Sequence, residues 1–199
     1  MSVEIEAASP GLVSRVRAIL VTPKATWAVI AVEPTTMRAI FTRYVLVLGA
    51  INPICFTLGR LMFGDRVLGA VYRPPVISAL IEGLVGYAMV LGSVFALSFL
   101  IEGLSTAFGA TRDRLSAFKV AAYSGTAGWL ASVVYLVPPL GFLALVGQLY
   151  TLYLLYRGVQ ILLRPPQQRT LGFVALVVVC YIVLMMLVIS LTKLLSALA

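Results

Sequence analysis

Residues Gly83–Ile101 read GLVGYAMVLGSVFALSFLI, nineteen residues without a charge, closed by Glu82 on one side and Glu102 on the other. As a helix rising 1.5 Å per residue the segment is about 28 Å long, close to the thickness of one hydrocarbon core. The two glutamates read as the water boundaries of a single transmembrane helix inside the longer run Val76–Phe108; the competing reading is an intramembrane proton or ion site. Working outward, four more apolar runs of comparable length follow the same pattern: Ala39–Leu61, Val120–Val137, Leu140–Leu163 and Leu171–Leu195. The whole chain is 61% apolar and 11% charged, against roughly 45–50% and 25% for a soluble domain, so one water-soluble core cannot hide its apolar residues. The expected fold is all-α: a polytopic membrane helical bundle of five transmembrane helices over residues 39–199. A cytoplasmic N-terminal segment, residues 1–38, precedes it with a short amphipathic interfacial helix.

The composition also excludes chemistry. The 199 residues contain no histidine, which removes imidazole bases, the usual zinc ligands and every Ser-His-Asp or Cys-His arrangement. No phosphate-binding loop, dinucleotide glycine pattern or calcium loop is present, and no nucleophile has a base beside it. No enzymatic activity, catalytic residue, metal or cofactor is expected. The net charge of +8 is a matter of sidedness and not of nucleic acid. Cys55 and Cys180 fall in different apolar runs and are expected as free thiols. The start, Met-Ser-Val-Glu-Ile-Glu, carries acids where a signal peptide carries bases, so no cleaved signal is expected.

Sidedness follows from the bases. With five spans, one face carries Arg15, Arg17, Lys24, Arg38, Arg112, Arg114, Lys119, Arg164 and Arg169, nine in all, and the other carries four, Arg60, Arg66, Arg73 and Lys193. The positive-inside rule then places the N-terminus in the cytoplasm and the short C-terminus outside. Arg43 opens the first run and Arg60 closes it, both snorkelling outward. Asn52-Pro53 interrupts the same run and predicts a kink near its middle. Pro138-Pro139-Leu140-Gly141 predicts a tight hairpin between the third and fourth spans, and Pro165-Pro166-Gln167-Gln168-Arg169 a polar turn before the last, lipid-facing one.

Ahead of the first span, Leu12, Val13, Val16, Ile19 and Leu20 share one arc of a helical wheel while Ser14, Arg15, Arg17 and Ala18 occupy the rest. Ser9-Pro10 is the expected start of this helix and Thr22-Pro23 its end, where another begins. Arg15, Arg17 and Trp27 are the expected interfacial anchors of a basic helix lying on the cytoplasmic surface; the alternative is a dock for a partner protein. Leu61, Met62, Phe63, Val67, Leu68, Val71 and Tyr72 suggest a second interfacial stretch on the outer side, interrupted by Gly64-Asp65-Arg66.

The fourth span is the most patterned. Ala144, Gly147, Thr151 and Gly158 gather on one side and predict close helix packing. Tyr150 and Tyr153, with Arg157 near their faces, form a candidate lipid or ligand contact, or a cation-π anchor for the helix end. Arg43, Glu82 and Glu102 are the candidate intramembrane or boundary charges. The third span holds Tyr123, Ser124, Gly125, Thr126, Gly128 and Ser132 and is expected at the centre of the bundle.

The stretch Ala117-Phe118-Lys119-Val120-Ala121-Ala122-Tyr123-Ser124, then Trp129, then Val137-Pro138-Pro139-Leu140-Gly141, then Leu149-Tyr150-Thr151-Leu152-Tyr153-Leu154-Leu155-Tyr156-Arg157-Gly158 and Pro165 resembles the Yip (Ypt-interacting protein) family of five-span membrane proteins, in its bacterial branch. Thr22-Pro23 through Trp27 to Glu33-Pro34 and Tyr44 is similar to the start of those members. One departure is Ala127, three after Ser124, where these proteins often carry proline; it bears on a kink in the third helix. The resemblance implies a cytoplasmic N-terminus and a five-helix Yip-type domain in the bacterial inner membrane. Eukaryotic relatives bind Rab-type GTPases and one another in vesicle trafficking, but the long cytoplasmic region of those relatives is shortened here to residues 1–38, and their Asp-Leu-Tyr-Gly-Pro type motif is absent.

Two functional readings follow. The first is a non-enzymatic protein that organises membrane or partner proteins, its partners being the lipid bilayer and a membrane protein or a second copy of itself. The second is a small channel, transporter subunit or lipid-handling protein using the polar third and fourth helices. A continuous polar cavity joining Ser124, Thr126, Gln148 and Tyr150 would favour the second, and a dry packed interface the first.

Overall fold

The computed structural model describes the backbone of residues 11–67 and 70–198, and side chains within these outside 65–67, 70, 189 and 191–198. Helix α1, Leu12–Val21, ends at Thr22, and Pro23 takes the first position of α2, Pro23–Val32, where its missing N–H leaves no helical bond unmade. Ser9 and Pro10, the expected start of α1, lie outside the described residues. Thr36 opens the first long helix, α3 (Met37–Phe63), accepting the Ala39 N–H at 3.2 Å. The expected kink at Asn52-Pro53 falls one turn earlier, at Ala50 (ψ −22°). Pro53 has no N–H to give the Gly49 carbonyl four residues back, and the helix breaks where that bond is missing.

The stretch expected at the outer interface is a hairpin. Gly64, at φ 74°, turns the chain out of α3, and β1 (Asp65–Val67) pairs antiparallel with β2 (Ala70–Tyr72), Asp65 opposite Tyr72. A hairpin satisfies its own backbone and needs no helix there; Leu68 lies outside the described residues.

Helix α4, Val76–Phe108, keeps the bounds expected of the second run and stops at Gly109 in the left-handed region. The third run starts earlier and is more broken than expected. Asp113 caps α5, Arg114–Ser124, and Gly125 separates it from α6, Thr126–Ala131, which tightens into a 3-10 turn over Ser132–Leu136. The double proline begins α7, Pro138–Leu163, first as a 3-10 turn over Pro138–Leu143. Arg164, at φ 48°, closes α7 ahead of Pro165-Pro166, and α8 runs Gln167–Leu198.

Among the described residues four helices are long and apolar enough to cross a bilayer: α3, α4, α7 and the Gln167–Val188 part of α8. The chain is therefore an all-α polytopic membrane bundle. Every residue from Ala117 to Ser124 is buried, which puts α5 at the centre, against α4, α7 and the start of α3. Helices α4 and α8 turn Ile77, Leu84, Leu171 and Met186 outward, the surface a lipid environment covers. Helix α2 packs on the last turns of α7, and α1 packs on α2. Cys55 is buried and Cys180 half-buried, both as free thiols.

Candidate functional site

The polar groups of the bundle converge where α1 and α2 meet it. Ile19, Trp27 and Ile30 anchor the pair from below, each at most 1% exposed. Burial of this apolar face brings polar residues down with it. Arg15, 5% exposed, forms an ion pair with the Glu33 carboxylate, and its guanidinium stands 5.8 Å from the centre of the Tyr123 ring. A charge taken this far from water requires a partner of opposite sign, which Glu33 supplies.

Lys119, buried on the central helix α5, donates to the carbonyls of Ile30 at 2.7 Å and Glu33 at 2.9 Å. These carbonyls belong to the end of α2, where helix geometry leaves acceptors unpaired and the helix dipole is negative, so an ammonium there is doubly favoured. Tyr123, one turn further along α5, is held edge-on between Trp27 (centroids 6.3 Å apart, 84°) and Tyr44 (4.7 Å, 63°). Thr126 gives its hydroxyl proton to the Tyr123 carbonyl at 2.7 Å, so the Tyr44 hydroxyl is the donor in the 2.7 Å bond to Thr126. From α7, the Tyr150 hydroxyl donates to the Leu20 carbonyl at 2.6 Å. The arrangement fastens the N-terminal helices to three different parts of the bundle. Its chemistry is positioning, by charge and ring contact.

The sequence-predicted residues distribute unevenly around this site. Arg15 and Trp27, expected as surface anchors, are buried, because α2 folds back over α5 and α7 and covers them; only Arg17 of the three is exposed. Trp27 lies over Gly158, where a β-carbon would come within 2.8 Å of the indole, and its Nε1 finds no hydrogen-bond partner among the described residues. Of the small-residue side, Ala144 is buried, Gly147 lies against Ala131 and Ala127, and Thr151 accepts the Gly128 N–H at 3.0 Å. The Tyr150 and Tyr153 rings meet at 5.5 Å, tilted by 42°, but Arg157 turns away to donate to Gln160 at 2.8 Å, and the expected three-residue grouping is not formed. Glu82 pairs with Arg60, and Glu102 with Arg112 at 3.5 Å. Arg43 is exposed on the second turn of α3.

The family model of the Yip1 domain matches residues 17–189. This chain belongs to the Yip1 domain family. No curated protein and no solved structure matches it. The match begins two residues after Arg15, so apart from that guanidinium the residues that fasten the N-terminal helices lie inside the Yip1 domain. Sequence reasoning passed over Glu33, Tyr44 and Lys119 as site residues. Lys119 carried a signal: a lysine in the unbroken small and apolar run of this Yip1 domain's most buried helix needs an acceptor, and carbonyls at a nearby helix end are the commonest unpaired ones.

Proposed function

We propose that this Yip1-domain protein is a non-enzymatic, multi-pass protein of the bacterial inner membrane that organises membrane or holds a partner protein on its cytoplasmic N-terminal helices. It crosses five times, with residues 120–137 as the third crossing, its N-terminus in the cytoplasm and its C-terminus outside. The observation that carries the reading is the fastening of α1 and α2 by Arg15–Glu33, Lys119 and Tyr150. It makes a rigid platform of a segment that would otherwise float at the interface. The outer face of that platform shows Val13, Val21, Val29 and Val32 beside Arg17 and Lys24, a mixed apolar and basic surface suited to a second protein or to anionic lipid. The nine-to-four distribution of bases supports the orientation.

The third run favours scaffold over conduit. Ser124, Thr126 and Ser132 bond helix carbonyls three residues back, and the amide of the exposed Gln148 lies packed against Gly128. A photo-crosslinker at Val13 or Val29 in native membranes tests the platform: a discrete protein adduct is expected, and lipid adducts alone would refute docking. Single-cysteine labelling at residues 13 and 193 tests the topology. Opposite sides are expected, and labelling from one side would overturn five spans.

A further inference from the structure

Between the start of α1, the connection after α2 and the second turn of α3 lies an open cavity of about 470 Å³. Arg15, Glu33, Thr35, Thr36, Arg43 and Tyr123 supply its polar lining, with Leu12 and Ile40 among the apolar contacts. The only carboxylate of this lining, on Glu33, is already bound by Arg15, so two guanidiniums face one acid and a positive charge is left over. That charge is Arg43, which pairs with no described carboxylate. Tyr123 lines the cavity, and its hydroxyl makes no hydrogen bond to another described residue, so it is available to a ligand. Thr36 accepts the Ala39 N–H, which leaves its own proton to donate outward. A phenol hydroxyl, an unpaired guanidinium and a hydroxyl donor that line one open cavity suit an acceptor-rich anion, and phosphate has the oxygens to meet all three.

The place of the cavity decides where the phosphate comes from. Arg43 lies six residues into α3, about 9 Å along a helix from its first residue, and α3 is one of the helices long and apolar enough to cross the bilayer. Basic pockets beside the ends of such helices take lipid headgroups. We propose that this cavity is a phosphate site filled from the membrane by a phospholipid headgroup, with Arg43 holding the phosphate and the Tyr123 and Thr36 hydroxyls orienting it. The site is separate from the outward platform of α1 and α2, and stands whether or not a protein docks there.

The test is native mass spectrometry of the full-length protein in detergent, with phosphatidylglycerol, diacylglycerol or glycerol 3-phosphate added. Wild type is expected to retain phosphatidylglycerol and not diacylglycerol. Arg43→Gln, on an exposed residue, is expected to reduce retention about tenfold, as for loss of a charge-assisted pair. Tyr123→Phe, which keeps the ring contacts with Trp27 and Tyr44, is expected to reduce it about threefold. Arg38→Gln, exposed on the first turn of the same helix and outside the lining, serves as the charge control and is expected to leave retention unchanged. Glycerol 3-phosphate held as tightly as the lipid would keep the phosphate site and overturn the membrane source. Equal retention by wild type and Arg43→Gln, equal losses in Arg38→Gln and Arg43→Gln, or retention of diacylglycerol would overturn the proposal.

Discussion

A β-carbon on Gly147 would stand 2.1 Å from the Ala131 β-carbon and 2.8 Å from the Ala127 carbonyl oxygen. The backbone there cannot yield without moving α7 off α6. Gly147→Ala is therefore expected to cost about 1–3 kcal/mol as overpacking. A β-carbon on Gly92 of α4 would meet no described residue within 4 Å, so Gly92→Ala is expected to gain about 0.5–1 kcal/mol of helix propensity. Thermal unfolding in one detergent compares the two, and a reversed order would refute this account of the interface. Gly147 was legible because small residues three and four apart on a helix mark a close approach whatever packs there. Trp27 was not. A tryptophan shortly before a first span has the same sequence signature at a headgroup as under a returning helix, and only the neighbours from α5 and α7, some 100 residues away, distinguish the two.

At the scale of elements, the long runs were readable from length and apolarity, and α4 keeps its expected bounds. The third run was readable in place but not in shape: Gly125 and Ser132 divide it, and the sequence does not show which of its small residues break the helix. The hairpin of β1 and β2 escaped because three-residue strands leave no period to read. Its entrance was marked all the same by Gly64-Asp65-Arg66, taken as an interruption. The start of α5 carries a prediction. Asp113 accepts the Ser116 N–H at 2.9 Å, and hydrogen bonding from Ser116 holds its carboxyl below the ordinary carboxylate value. A lowered native value means that the cap contributes fully above the unfolded pKa of about 4 and fades as pH falls through the native one. Asp113→Ala is expected to cost about 1 kcal/mol at neutral pH. The difference from wild type should shrink below pH 4 in parallel melting curves, and a difference that grew with acid would contradict the cap.

For the molecule as a whole, the attachment of α1 and α2 is the least legible feature and the one on which the site depends. Arg15 and Glu33 were visible as charges, but their pairing needs the chain to turn back at Thr22, so that residues eighteen apart meet. Glu33→Gln leaves the Arg15 charge buried without its counter-ion, an expected loss of about 3 kcal/mol. That loss should be read as faster trypsin cleavage after Arg17 and Lys24. The double exchange Arg15→Glu with Glu33→Arg should slow cleavage again. Cleavage unchanged in Glu33→Gln would mean that Lys119 and Tyr150 hold the pair alone.

Those two fasteners carry a consequence for biosynthesis. Lys119 reaches carbonyls 89 and 86 positions earlier in the chain, and Tyr150 reaches one 130 positions earlier. A ribosome makes the N-terminal helices first, yet what secures them emerges only after most of the polypeptide has left the tunnel. Until then the first-born segment has nothing to settle on, and its docking is among the last events of assembly.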